Sequence, residues 1–420
     1  MSTDPEPGSV IVVGGGVVGL ACAHYLTDDG LSVTVIDRGA AGGACSAGNC
    51  GYICPSHVLP LTEPGAIRMA LKSLLNPRAP FRVRPRLSPA MWRWFWQFAR
   101  RCTHRQMLAA GVHLKAILDS SMSEYRRLVA AEQLACGWES RGLLYVLLTS
   151  HGMQEFAATD RLLTEHFGVA ARRIEGDQLP ELDAALRPGL AGAFLYEDDA
   201  HLRPAALTTN WAARLRERGV QIREQCEVEA IVKDGGAVTG LRTNQGVLRA
   251  ERYVIAAGAW SAQLAGELGC RIPIEPGKGY SVTTTRPEPC PTYPILFPEH
   301  RVGATPFADA YRLGSMMEFV GFDDSIPAAR IAQLRESAAP YLVTPSGEQE
   351  IDRWYGWRPM TPDSLPIIGP APGLANVLLA TGHNMLGMSL ATATGKLTAE
   401  LLAGRSPHID AAPFSPQRFQ

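Results

Sequence analysis

The stretch SVIVVGGGVVGLACAHYLTDDGLSVTVIDR (9–38) constrains the fold of this chain more than any other. Val10–Val13 is a β-branched run suited to a buried parallel strand. Residues 17–28 carry helical periodicity, Gly30 suits a helix end, and Val33–Asp37 reads as a second strand. Between strand and helix, Gly14, Gly16 and Gly19 make a GxGxxG, with Val17 and Val18 opening the helix. Such glycines let the backbone turn tightly against a pyrophosphate, to which the helix end offers free N–H groups and a positive dipole. Asp37, with Arg38 after it, lies about 20 residues on, where an acid bonds a ribose hydroxyl. A GxGxxG alone is weak, but strand, helix, strand and acid agree here. They identify a dinucleotide without saying which.

At 420 residues the chain is too long for one simple core, so two interleaved domains are expected. Residues 40–65 read as an ordered loop and 66–132 as mainly helical, broken by a proline-rich patch at 77–89. A strand follows near 142–148, a helix over 204–219, and strands through 220–256 with turns at 234–236 and 244–246. Mixed strands over 271–322, a helix over 326–340, a proline-rich loop at 356–370 and a helix over 388–403 complete the pattern. The fold expected is α/β: a Rossmann-like cofactor domain (1–75, 178–262 and 350–420) with an inserted α+β substrate or cap domain (76–177 and 263–349).

The net charge of −1 gives no case for nucleic acid. An odd count of nine cysteines reads as reduced thiols in the cytoplasm. The polar N-terminus lacks the features of a secretory signal, and no apolar run approaches the roughly 20 residues of a membrane span. A cytoplasmic protein, at most peripheral on the membrane, is expected. Cys45, Cys50 and Cys54 match neither zinc nor ferredoxin spacing, so no metal is expected.

Distal segments turn the reading toward a flavin. YVIAAGAW (253–260) is a buried strand entering small residues, and Ala256, Ala257 and Gly258 allow close approach to a cofactor. GHNMLG (382–387) precedes a helix whose N-terminus either faces an anion or is merely capped. Together with SAGNCG (46–51), GKGYS (277–281), RLGSMMEFVGF (312–322) and GWRPMTPDSLPIIG (356–369), these segments span nearly the whole chain in order. The chain resembles the D-amino acid dehydrogenase branch of the glycine oxidase/D-amino acid oxidase flavoprotein superfamily.

That resemblance implies a two-domain fold with extended, non-covalent FAD. Gly14, Gly16 and Gly19 would then serve the pyrophosphate, Asp37 the adenosine ribose, and Val228 the adenine. Ser46, Ala47, Gly48, Asn49, Cys50 and Gly51 would pass the ribityl chain and the ring, beside Ala257, Gly258 and Trp260. Gly382, His383, Asn384, Met385, Leu386 and Gly387 would line the isoalloxazine, with His383 also a catalytic candidate. Arg358 matches the arginine that grips a substrate carboxylate, a task its forked donors suit; the alternative is an arginine pairing within a loop. Met385 stands where some oxidase relatives carry a second basic residue, which argues against glycine or sarcosine oxidation by that clamp. Tyr280 offers a hydroxyl near substrate or is a core tyrosine, while Tyr52 and His57 are further pocket candidates. No catalytic base is needed if the amine arrives deprotonated, because positioning alone lets hydride leave Cα.

The activity implied is oxidation of a D-amino acid, with D-proline or 4-hydroxy-D-proline within the class and a quinone or protein as electron acceptor. The alternatives are an oxygen-using oxidase of glycine, sarcosine or D-amino acids, a nicotinamide-dependent dehydrogenase, and a flavin-binding relay or assembly subunit. Between Glu63 and Asp119 there is no acid, while Arg68, Lys72, Arg78, Arg82, Arg84, Arg86, Arg93, Arg100, Arg101, Arg105 and Lys115 accompany Trp92, Trp94, Phe95, Trp96 and Phe98. Residues 66–115 fit either an anionic membrane surface or a solvated face over a buried aromatic helix.

Overall fold

The computed structural model describes residues 6–73 and 79–420. Strand β1 (Ser9–Val13), helix α1 (Val17–Asp28) and strand β2 (Ser32–Ile36) follow the order read from the glycine motif, with β1 and β2 parallel and Val13 opposite Ile36. The loop beyond contains one helical turn, Ala44–Ala47, and a two-residue strand, Tyr52–Ile53. Helices α2 (Ala66–Ser73), α3 (Pro89–Arg101) and α4 (His104–Ala131) come next. Ser88 and Thr103 start the last two by accepting from the Met91 and Gln106 N–H groups, the usual device for satisfying a helix's first donors.

Strand β3 (Leu143–Leu147), helix α5 (Ser150–Phe167), strands β4 (Arg172–Glu175) and β5 (Gly192–Tyr196), helix α6 (Pro204–Glu217) and strand β6 (Gln221–Arg223) lead into an antiparallel meander. The meander is β7 (Val228–Asp234), β8 (Ala237–Thr243) and β9 (Gly246–Leu248), turning at the expected glycines. Strands β10 (Arg252–Ile255), β11 (Glu275–Thr284), β12 (Ile295–Phe297), β13 (Val302–Pro306) and β14 (Tyr311–Phe319) precede helix α7 (Ala328–Ala338). Strands β15 (Glu350–Met360), β16 (Ile367–Pro370) and β17 (Val377–Thr381) and helix α8 (Gly387–Leu402) follow.

Six strands form one sheet in the order β16-β17-β10-β1-β2-β6, parallel except for β16. The chain leaves β1 for a neighbour on one side and returns as β10 on the other. A crevice opens beyond the carboxyl ends of strands at such a switch point, and here those ends are Gly14 and Ala256. A second sheet of nine strands runs β15-β11-β14-β13-β12-β3-β5-β4, with Phe81–Val83 beside β14. Helix α7 covers one of its faces through Ile331 and Leu334, and the other faces the loop after β2. The molecule is thus a Rossmann-like α/β unit joined to an α+β unit.

Two expectations are revised. The segment 356–370 is not a proline-rich loop. Its first residues continue β15, where Gly356–Met360 pair with Glu275–Gly279 of β11. Pro359 is tolerated because β15 is an edge strand, so a missing N–H breaks no ladder. Pairing also places β5 and β15 in the nine-stranded sheet, where the sequence partition puts 178–262 and 350–420 with the cofactor half; the partition's 75/76 boundary lies outside the described residues.

Candidate active site

A cavity of about 1690 Å³ begins at the switch point and runs between the two sheets. At its inner end Gly14 adopts φ +110°, and a Cβ there would lie 2.4 Å from the Ala256 oxygen. A Cβ on Gly19 would lie 1.8 Å from the Gly14 oxygen, so the turn closes on itself only with glycine. The Asp37 carboxylate accepts from the Gly15 and Gly39 N–H groups, both at 2.7 Å, which braces the turn. Val17 N–H, at the start of α1, donates to Ser46 Oγ at 3.0 Å. The Arg38 guanidinium stacks over Trp260, 4.0 Å from its centroid, and Val228 lines this end with Cys226 and Glu227.

The 44–51 loop is held by the opposing sheet. Ser281 Oγ donates to the Gly48 oxygen (2.7 Å), Thr305 Oγ1 to the Cys50 oxygen (2.8 Å), and Arg312 Nη1 to the Ala47 and Asn49 oxygens (3.1 and 2.8 Å). The Asn49 side chain closes the loop from within, donating to the Ser46 oxygen and accepting from Gly51 N–H, each at 2.8 Å. This bracing fixes the backbone where a ribityl chain would run. Sequence reading missed Ser281, Thr305 and Arg312, because only the pairing of Ser281 with Gly314 and of Thr283 with Arg312 puts Ser281 and Arg312 on one face.

Deeper in, Arg358 stands on β15 with its guanidinium against Gly279. Its Nη1 donates to the Met316 oxygen at 2.7 Å. Burial lowers its pKa, and among the described residues no carboxylate faces it. Burial also pushes the Cys45 thiol up to about 12, so that neighbour is neutral. A partly buried guanidinium with no acid partner among the described residues is chemically suited to a carboxylate.

The start of α8 also opens on the cavity, with no side chain capping it among the described residues. Asn384, at φ +52°, accepts from Thr361 N–H at 2.8 Å and donates to the Gly382 oxygen at 3.0 Å, tying this turn to the end of β15. Two buried polar atoms on the wall, Trp357 Nε1 and Ser364 Oγ, have no hydrogen-bond partner among the described residues. Of the cofactor residues expected from sequence, Gly19, Ala47 and Gly382 lie behind the wall and the rest line the cavity.

The candidates Arg358, Tyr280, His383, Tyr52 and His57 all line the cavity, and their surroundings differ. Tyr280 is opposite Tyr355, one residue out of phase with the Gly279–Gly356 pair that meets Arg358, so its side chain points to the other face of the sheet. There its hydroxyl donates to Glu318 at 2.7 Å. His383 bonds Thr394 Oγ1 at 2.9 Å, and burial pushes its pKa down to about 3, too low for proton transfer at neutral pH. Tyr52 spends its hydroxyl on the Ile295 and Ala304 carbonyls (2.9 and 3.3 Å), leaving its ring as wall. His57 also lines the cavity, 2.6 Å from the Tyr145 hydroxyl, with its pKa lowered by burial to about 4.

An extended dinucleotide fits this arrangement: a glycine cradle at a helix start, a braced loop along the middle, and a second open helix start with orphaned polar atoms at the far end. The family model "DAO: FAD dependent oxidoreductase" matches residues 9–401. Among solved structures, the chain is similar to a glycine oxidase from Bacillus cereus ATCC 14579 (21% identity, TM-score 0.76, covering 95% of this chain and 96% of that one). It is similar also to an L-proline dehydrogenase from P. horikoshii (20%, 0.76, 99% and 98%). A third is the L-α-glycerophosphate oxidase of Mycoplasma pneumoniae with FAD bound (17%, 0.69, 94% and 94%). At such identities the likeness is one of fold.

Proposed function

This chain belongs to the DAO family of FAD-dependent oxidoreductases, and on that footing we propose that it oxidises the Cα–N bond of a D-amino acid. D-Proline and 4-hydroxy-D-proline are the first substrates to test, and the electrons go to a quinone or protein carrier. FAD replaces the nicotinamide alternative. The reading is carried by Arg358, a guanidinium in the cofactor cavity with no acid beside it among the described residues. Glycine oxidase and L-proline dehydrogenase among the similar structures support an amino acid.

The residues that would hold FAD are those of the glycine turn, the braced 44–51 loop and the start of α8. When bound, FAD supplies a ring nitrogen, N5, that takes up hydride. The protein's part is positional. Arg358 takes the substrate carboxylate through the donors that Met316 leaves free, and this fixes the direction of the Cα–H bond. The amine arrives deprotonated; its lone pair becomes the C=N bond as hydride leaves Cα. His383 and His57 stay neutral and hold the wall. A primary imine then hydrolyses in water to the keto acid and ammonia, whereas a cyclic imine persists.

The test is anaerobic bleaching of the yellow holoenzyme with D- and L-enantiomers in parallel. Bleaching by a D-amino acid with little peroxide in air supports the proposal. Rapid peroxide formation replaces it with the oxidase alternative, an L-preference reverses the enantiomer, and no bleaching by any amine leaves the relay subunit.

A further inference from the structure

We propose that helices α2 and α3 form a docking surface for an anionic lipid bilayer, set around an outer opening of the cofactor cavity. Ile67, Leu71, Trp92 and Trp96 line the cavity and are also exposed, so the cavity reaches the surface between these helices. Leu71 is 60%, Trp92 51% and Trp96 57% exposed, and Leu87 just before α3 is fully so. With Ile67 they make five of the twelve large hydrophobic side chains exposed among the described residues, all within 67–96. A soluble surface does not gather its apolar side chains in this way without a partner.

Both helices are one-sided. On α3, Met91 and Trp94 face inward, and Trp94 Nε1 donates to the Met360 oxygen at 2.9 Å, while Trp92 and Trp96, four residues apart, face outward. On α2, Ile67 and Leu71 repeat that spacing. Exposed tryptophans beside cations suit the interface between headgroups and acyl chains.

Charge selects the occupant. No acid occurs between Glu63 and Asp119. Arg84 and Arg86 are held by Asp323 and Glu275, whereas Arg68, Arg82, Arg93 and Arg100 are exposed and form no ion pair among the described residues. Arg100 lies over the Trp96 ring, 4.7 Å from its centroid. Arg78 lies outside the described residues. No helix among the described residues is long and apolar enough to cross a membrane, so the contact would be peripheral. The docking stands on this surface alone; only its purpose, admitting an apolar electron acceptor from the bilayer, rests on the proposed dehydrogenase activity.

The experiment is flotation of the yellow holoenzyme with phosphatidylcholine vesicles, with and without phosphatidylglycerol. Wild type should float only with the anionic vesicles, and be released at about 1 M salt, where screening shortens to about 3 Å. Arg93→Glu/Arg100→Glu should lower the bound fraction at least about tenfold, and Leu87→Ser should lower it several-fold. None of these three positions lines the cavity, so turnover with a water-soluble dye acceptor should be unchanged. No flotation at low salt, equal flotation with neutral vesicles, or binding indifferent to both variants overturns the proposal. Flotation needs no substrate, so a wrong substrate assignment leaves this result readable.

Discussion

Replacing Arg358 with methionine separates a substrate clamp from a structural arginine, because the two roles predict opposite effects on stability. Among the described residues the guanidinium has one hydrogen bond, to the Met316 oxygen, and no acid within reach; burial therefore disfavours its charge. A methionine of similar reach removes that desolvation cost while leaving the Met316 oxygen without its donor, a loss of about 1–3 kcal/mol. The two effects oppose, so Tm should stay within a few degrees of wild type or rise. The substrate carboxylate, by contrast, loses two charge-assisted hydrogen bonds, together about 3–4 kcal/mol. That is a fall of about 10²–10³-fold in kcat/KM, mostly in KM. The assay pairs the amino acid with its decarboxylated amine: wild type should discriminate strongly, and Arg358→Met should bring the ratio close to one while remaining yellow. A variant that unfolds several degrees early with the ratio intact would refute the clamp and make Arg358 a buttress of β15.

Tyr280→Phe should leave turnover nearly unchanged but cost about 1–3 kcal/mol in thermal unfolding, since it strips Glu318 of a buried donor. A large kcat loss would return Tyr280 to the chemistry. His57 is held near 4 when folded, below its unfolded value of about 6.5, so it favours the native state fully above the latter. That stability is lost as pH falls from about 6.5 toward 4, and His57→Gln should flatten the acid limb of Tm against pH. Asp199 runs the other way. Burial lifts its pKa to about 7, so its contribution is whole at low pH and declines as pH rises through neutrality; Asp199→Asn should gain on wild type at alkaline pH. Gly19→Ala should abolish FAD retention, because the added Cβ meets backbone only 1.8 Å away; a yellow, stable variant would refute the tight turn.

The glycine turn was legible in the sequence because its constraints are local. The alternation of strand, helix and strand sets β1, α1 and β2, and a positive φ at Gly14 needs no distant partner. The loop at 44–51, β10 and the start of α8 were legible as segments, whereas the role of Arg358 came from resemblance and stands as a proposal. Tertiary structure decided which face of a strand each residue occupies and what lies opposite. It sent Tyr280 to Glu318 and left Arg358 beside Gly279, a difference set by the β11–β15 register. It turned a proline-rich stretch into an edge strand, because pairing with β11 outweighs proline where no N–H is required. It also withdrew His383 from proton chemistry, since burial depends on atoms brought from other parts of the chain. Local backbone preference is encoded within a few residues, but side-chain environment is a sum over distant ones, which a linear pattern does not contain.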